Sequence, residues 1–267
     1  MKRIFCLLFI LITGSTFSQS DSLKGKNKGL YLTWGYTKAY YSKSTIHFKN
    51  HTGTDYQNNY DFTVYNATAS DRPDLKKIKD VVNVTIPQFV FRVGYQVSDK
   101  WGLELNYDHT KYVVNDYQQV HVKGQIGDNW VDEVKVMDPD SFLHFEHTDG
   151  ANFWMINLVR QFKIYNPNKN FQASWVVKPG AGVVIPRTDV TMFGTRLNNN
   201  WKLAGWIVGV ETGVRLQFLR HGFFEFVGKG SFADYVNAFI LGKGHGRANH
   251  HFFTAQMTAT LGYQFGR

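Results

Sequence analysis

From Phe253 to Phe265 every second residue is apolar: Phe253, Ala255, Met257, Ala259, Leu261, Tyr263 and Phe265. The residues between them, Thr254, Gln256, Thr258, Thr260, Gly262 and Gln264, are polar or glycine. Side chains alternate between the two faces of a strand, so this is one strand with an apolar and a polar face. It outruns the usual strand of about 5–6 residues. It suits the roughly 9–11 residues of a membrane-crossing strand, and a barrel wall has this dyad pattern. A lone strand leaves its backbone groups unpaired in a bilayer, so the rest of the chain must supply partners.

Seven further stretches alternate in the same way: 29–40, 86–97, 101–113, 152–162, 171–183, 206–218 and 224–235. In the second, Phe89, Phe91, Val93, Tyr95 and Val97 oppose Gln88, Arg92, Gly94 and Gln96. Pro179 falls within the fifth and predicts a bulge or local break there. Arg160 shares the apolar face of the fourth, where a long side chain near a strand end can snorkel to the interface. Three connections are tight turns, at 98–100, 163–169 and 219–222. Four are long, roughly 41–87, 114–151, 184–205 and 236–251. Short turns on one side and long loops on the other are the layout of an outer-membrane barrel. The expected fold is all-β: an eight-stranded antiparallel transmembrane up-and-down β-barrel with long extracellular loops and both termini on the periplasmic side.

The charges agree. A Lys or Arg facing lipid at the midplane costs about 2–4 kcal/mol. Eight charged residues lie on the polar faces of the strands: Arg92, Glu104, Asp108, Lys178, Glu211, Arg215, Glu225 and Lys229. Four are acidic and four basic, and an eight-stranded barrel is just wide enough inside for side chains. Balanced charges in that space should pair and plug it, because unpaired buried charge is costly. Two aromatic girdles are expected at the interfaces. Tyr95, Trp101, Phe162, Phe171, Phe218, Phe224, Tyr263 and Phe265 fall near the turns, and Tyr40, Tyr112, Trp154, Trp206, Tyr235, Phe252 and Phe253 near the loops. A soluble sandwich or lipocalin-like barrel permits the same alternation inside out, but the alternating turn lengths and aromatic rims favour the membrane.

The chain opens with Met1-Lys2-Arg3, an apolar run from Ile4 to Ile12, and small residues through Ser18. This reads as a secretory signal peptide over 1–18, leaving a barrel over 19–267. Cys6, the one cysteine, lies inside it, so the mature chain forms no disulfide. Without Lys2 and Arg3 the net charge of +9 becomes +7, a basic surface suited to anionic headgroups. Lys76, Lys77 and Lys79 lie on the first loop, where they can meet lipopolysaccharide phosphate. Nucleic acid is a poor partner for an exported chain, and no cofactor is expected.

A signal peptide, eight amphipathic strands, long loops and a last strand ending Leu261-Gly262-Tyr263-Gln264-Phe265 resemble the small outer-membrane barrels of the OmpA, OmpX, OmpW and opacity type. The terminal aromatic pattern resembles the signal read by the barrel-assembly machinery, with Gly266 and Arg267 following it. The resemblance implies residence in the cell outer membrane, with the lipid bilayer and lipopolysaccharide as partners. It brings no catalytic motif, because this fold serves many functions. The leading expectation is a structural or interaction role through the extracellular loops, toward a ligand or partner protein. The alternative is a lipid A-modifying acyl hydrolase. Deacylases of similar size use a His base beside a hydroxyl near the outer leaflet, and His147, Thr148 and Asp149 are the residues here that could do so. If the loops fold together, His147, Asp149, His250 and His251 are candidate metal ligands, though their spacing matches no standard zinc motif.

Overall fold

The computed structural model describes residues 28–53, 58–71, 88–147, 149–168, 170–218, 221–240 and 246–265. The leader expected over 1–18 and the basic run at Lys76 to Lys79 lie outside the described residues.

Eight strands form a closed antiparallel ring: β1 (Gly29–Tyr41), β5 (Phe89–Gln96), β6 (Trp101–His109), β11 (Phe153–Asn168), β12 (Phe171–Val184), β15 (Gly205–Phe218), β16 (Gly222–Phe239) and β17 (Arg247–Gln264). Closure is made by β1 on β17, from Tyr31↔Gln264 to Tyr41↔Thr254. Each ring strand pairs with the next in chain order, as in an up-and-down barrel, and closure leaves no free edge. The ring is apolar outside and polar inside. Trp34 and Leu261 stand outward at 62% and 63% exposure, whereas Arg92 and Lys178 are fully buried in the lumen. This inverted distribution suits a hydrocarbon solvent.

Pro179 does not break its strand. β12 pairs with β15 in continuous register through Pro179↔Val210. Toward β11 the ladder lapses only between Asn157↔Gly180 and Arg160↔Val177, with the register unchanged. At Pro179 itself the missing hydrogen bond is the one proline cannot donate. β11 also runs on past the expected turn at 163, through register shifts around Tyr165 to Asn168↔Phe171. Arg160 lies over the rings of Trp101 and Phe162, at 4.5 and 4.9 Å.

The long connections are not open loops. The first contributes β2 (Ser44–His51), β3 (Asn59–Ala67) and β4 (Ala69–Ser70). The second contributes β7 (Tyr112–Val114), β8 (Gln119–Ile126), β9 (Asn129–Val136) and β10 (Leu143–His147). The third contributes β13 (Thr188–Met192) and β14 (Thr195–Asn198). The outer end of β17 pairs with β2, which extends the barrel wall in the order β17-β2-β3-β8-β9. A second sheet, β14-β13-β10-β7-β4, packs against it. The two sheets bury one apolar core, in which Phe48, Phe62, Val64 and Val122 meet Leu143, Phe145, Val190 and Met192. Phe48 and Phe145 pack edge to face at 5.3 Å. A sandwich of this kind, with inner faces interdigitated, is a folded cap.

The cap corrects part of the outer girdle. Tyr112, Tyr235 and Phe252 are buried in its core, while Tyr40, Trp154, Trp206 and Phe253 face outward. Phe252 and Phe253 are neighbours on one strand, so only one of them can face lipid. The inward face of β17 reads Gln264, Gly262, Thr260, Thr258, Gln256 and Thr254 from the turn side, then Phe252, His250 and Ala248. The interior therefore changes from polar to apolar just above Thr254.

Candidate functional site

Two buried polar clusters lie along the barrel axis. The lower one gathers the eight inward charges, each at most 4% exposed. Sheet register sets its rows. Lys178, Glu211 and Lys229 face one another across β12, β15 and β16, and Arg215 faces Glu225. Arg92 Nη1 lies 3.0 Å from both Glu211 Oε2 and Glu225 Oε1. Lys178 Nζ is 3.1 Å from Glu104 Oε2 and also contacts Glu225. Arg215 Nε donates to Glu225 Oε2 at 2.7 Å, and Lys229 Nζ to Asp108 Oδ2 at 2.5 Å. Every charge thus has an opposite neighbour, the condition under which a low-dielectric interior tolerates ions.

Below this cluster Tyr31 and Phe223 pack edge to face at 5.8 Å. Arg215 lies over both rings, at 4.9 and 4.4 Å. Tyr31 Oη donates to Glu104 Oε2 at 2.9 Å. The rings have room because glycines stand opposite them in register, Gly94 to Tyr31 and Gly262 to Phe223. A Cβ on Gly94 would sit 2.0 Å from the Tyr31 ring, and one on Gly262 2.2 Å from Phe223.

The upper cluster lies where cap meets barrel, beyond the outward aromatic rim. His147 of β10 and His250 of β17 meet with their Nε2 atoms 3.2 Å apart. His147 Nδ1 is 3.1 Å from Thr188 Oγ1, and His250 Nδ1 is 3.4 Å from Ser44 Oγ. Ser44 Oγ donates to the His251 carbonyl at 2.9 Å. Assigning protons from these donors and acceptors gives one self-consistent set of tautomers. Ser44 has spent its proton, so His250 donates to it from Nδ1 and accepts at Nε2. His147 donates from Nε2 and accepts the Thr188 hydroxyl at Nδ1. Tyr112, Phe145, Tyr235 and Phe252 wall the pair, with Tyr235 stacked on both imidazoles at 4.7 and 4.8 Å.

Of the residues expected for catalysis the structure describes His147 and Asp149, and their side chains go to different partners. His147 is fully buried, with no surface to offer a lipid acyl chain. Asp149 turns away to pair with Arg187. Thr148 lies outside the described residues. The expected metal set is not formed either. His147 and His250 use their Nε2 atoms on each other, and His251 points to the opposite, exposed face of β17. Among the described residues no group of three or more His, Cys, Asp or Glu is arranged to hold a metal ion. Outer histidines are instead held by carboxylates: His47 by Asp61 at 2.6 Å, His121 by Asp132 at 2.7 Å and His144 by Asp116 at 2.7 Å.

Burial pushes the His147 imidazole down to about 3. Burial, and then the neighbouring His147, holds His250 well below the ordinary histidine value. An imidazole depressed in the fold takes up its proton more readily in the unfolded chain. Its contribution is therefore intact above about pH 6.5 and is lost as pH falls from there toward 3. We expect the cap to lose about 1.4 kcal/mol per pH unit in that window from His147 alone. The urea midpoint of cap unfolding, followed by near-ultraviolet circular dichroism at pH 7 and pH 5, measures it. His147→Phe should reduce the dependence and leave the part that His250 contributes.

The fold is similar to that of the outer membrane protein OprG from Pseudomonas aeruginosa, at 16% identity over 90% of this chain and 98% of that one, with a TM-score of 0.39. It is similar to Neisserial surface protein A, at 10% identity over 89% of this chain and 97% of that one, with a TM-score of 0.36. It is also similar to Ail, the attachment invasion locus protein of Yersinia pestis, solved with the heparin analogue sucrose octasulfate, at 10% identity, 90% and 99% coverage and a TM-score of 0.31. No protein-family model matches the sequence, and no curated protein matches it. The architecture stands on the closed ring itself. Eight antiparallel strands with a polar interior and an apolar outer belt make an outer-membrane type of barrel.

Proposed function

We propose that the protein is a closed outer-membrane barrel that acts by presenting its folded cap at the cell surface. The observation that carries this reading is the cap itself. The long connections build two sheets around a shared apolar core above the barrel mouth. A chain that only needed to span the membrane has no use for such a structure. Among the described residues the interior beneath is filled along its length: the paired charges occupy its middle, Tyr31 and Phe223 the turn side and Phe252 with Tyr112 the mouth. Function is therefore assigned to the outer surface of the cap, as an interaction protein.

Two measurements test it. In planar bilayers the purified protein is expected to give no steady conductance, and an ohmic channel would refute the closed lumen. Lys123→Cys, on the solvent face of β8, is expected to react with a membrane-impermeant maleimide on intact cells. Protection until the cells are broken would refute the cap's placement at the surface.

A further inference from the structure

The extended sheet ends on β9. It pairs with β8 and, among the described residues, with no strand on its other side. Exposed edges are usually short, bulged or covered, because their free N–H and C=O groups accept another strand. β9 has eight residues, and they pair with β8 without a bulge from Ile126↔Asn129 to Gln119↔Val136. Trp130, Val134 and Val136 are 69%, 65% and 45% exposed. Beneath the strand a groove of about 580 Å³ opens between Val131 and Lys135 on one side and Phe142 and Phe193 on the other.

We propose that β9 pairs antiparallel with β9 of a second copy, about a two-fold centred on Val134. Residues directly opposed in an antiparallel pair share a face, so a two-fold must pass through one residue. The sequence Trp130-Val131-Asp132-Glu133-Val134-Lys135-Val136 then selects the register. A centre on Asp132, Glu133 or Lys135 sets that charge against its own copy, which is destabilising. A centre on Val131 opposes Asp132 to Trp130 and gives neither Glu133 nor Lys135 an opposite charge. A centre on Val134 opposes Val134 to itself and Asp132 to Val136. It also opposes Glu133 to Lys135 of the second copy, twice over. Glu133 and Lys135 already lie side by side on the groove face, Oε1 to Nζ 2.8 Å, so pairing joins two ion pairs into a four-charge cluster. The charges of β9 thus specify one partner register instead of repelling all of them.

The inference rests on the cap being a folded surface outside the cell, and the test separates the two. Cys6 is the sole cysteine, so substitutions are made on a Cys6→Ser background. Val134→Cys is expected to form a disulfide dimer on mild oxidation, since directly opposed strand residues fall within disulfide reach. Asp132→Cys alone should not, but mixed with Val136→Cys it should form a crossed dimer. Glu133→Lys and Lys135→Glu, each added to Val134→Cys, should lower the dimer yield at least tenfold, and the double swap should restore it. Folding is followed in every variant by the mobility shift on boiling. If Val134→Cys labels with an impermeant maleimide on intact cells yet forms no dimer, the pairing is overturned and the surface cap stands. If it neither labels nor dimerises, both fail. Dimerisation indifferent to the charge swaps overturns the register.

Discussion

Replacing Arg92 with Leu is expected to cost about 3–5 kcal/mol of barrel stability, the typical penalty for removing one partner of a buried ionic network. Arg92, like Lys178, is shared by three carboxylates, Glu104, Glu211 and Glu225. Its Nη1 lies 3.0 Å from Glu211 and from Glu225, and its Nε lies 3.8 Å from Glu104. It also donates from Nε to Asn106 Oδ1 at 3.1 Å. Its loss leaves four buried acids facing three cations, with no solvent to screen them. The cost comes from the acids left behind and not from the lost attraction alone, so a second substitution should recover most of it. Arg92→Leu with Glu211→Leu restores the balance of charge, and well-packed apolar replacements of buried ions are often neutral or stabilising. Urea unfolding in lipid vesicles, with the two single variants and the double, measures the coupling. A cost below about 1 kcal/mol for Arg92→Leu would mean that water reaches the site, and the lumen would then not be closed.

The crossing strands were legible in the sequence because a bilayer imposes one rule on all of them. Every second residue must be apolar for the full crossing, and Phe253 to Phe265 obeys it without exception. The inward charges followed from the same rule, since Arg92 or Glu211 had only one other face to occupy. What lies outside the bilayer was harder to read. Ile46 and Phe48, Tyr60, Phe62 and Val64, and Val120 and Val122 alternate as cleanly as any crossing strand, but over two or three positions. A search tuned to membrane-length strands passes over them. The lumen aromatics carried a signal of another kind. Tyr31 and Phe223 interrupt polar faces, and each stands opposite a glycine that makes room for it. The signal lies in the register between strands and not in the face pattern of either strand alone. His147 and His250 are 103 residues apart and belong to different sheets. No local pattern announces such a contact, so the sequence offered His147 as an exposed base where the fold makes it part of a core.

Phe62→Ala is expected to unfold the cap while leaving the barrel intact. Phe62 is 1% exposed and packs against Phe48, Tyr60, Phe142 and Phe193, with ring centroids 5.4, 5.7, 6.0 and 6.2 Å away. Removing a buried phenylalanine ring costs about 3–5 kcal/mol. All of that loss falls on the cap, because β3 touches none of the eight ring strands in the sheet order; it lies between β2 and β8. The ring draws its cohesion from closure and from the lipid around it, and neither changes. Protease cleavage within 44–70 and 119–147 should therefore accelerate by about a hundredfold or more, at a tenfold change per 1.4 kcal/mol, with the mobility shift on boiling preserved. Loss of that shift together with the cap would show that cap and barrel fold as one unit, and that the cap is a condition of insertion. An unchanged cleavage rate would show that the aromatic core around Phe62 does not hold the cap together. Only the first outcome leaves the cap free to vary independently of the barrel that carries it, which is what a surface devoted to recognition requires.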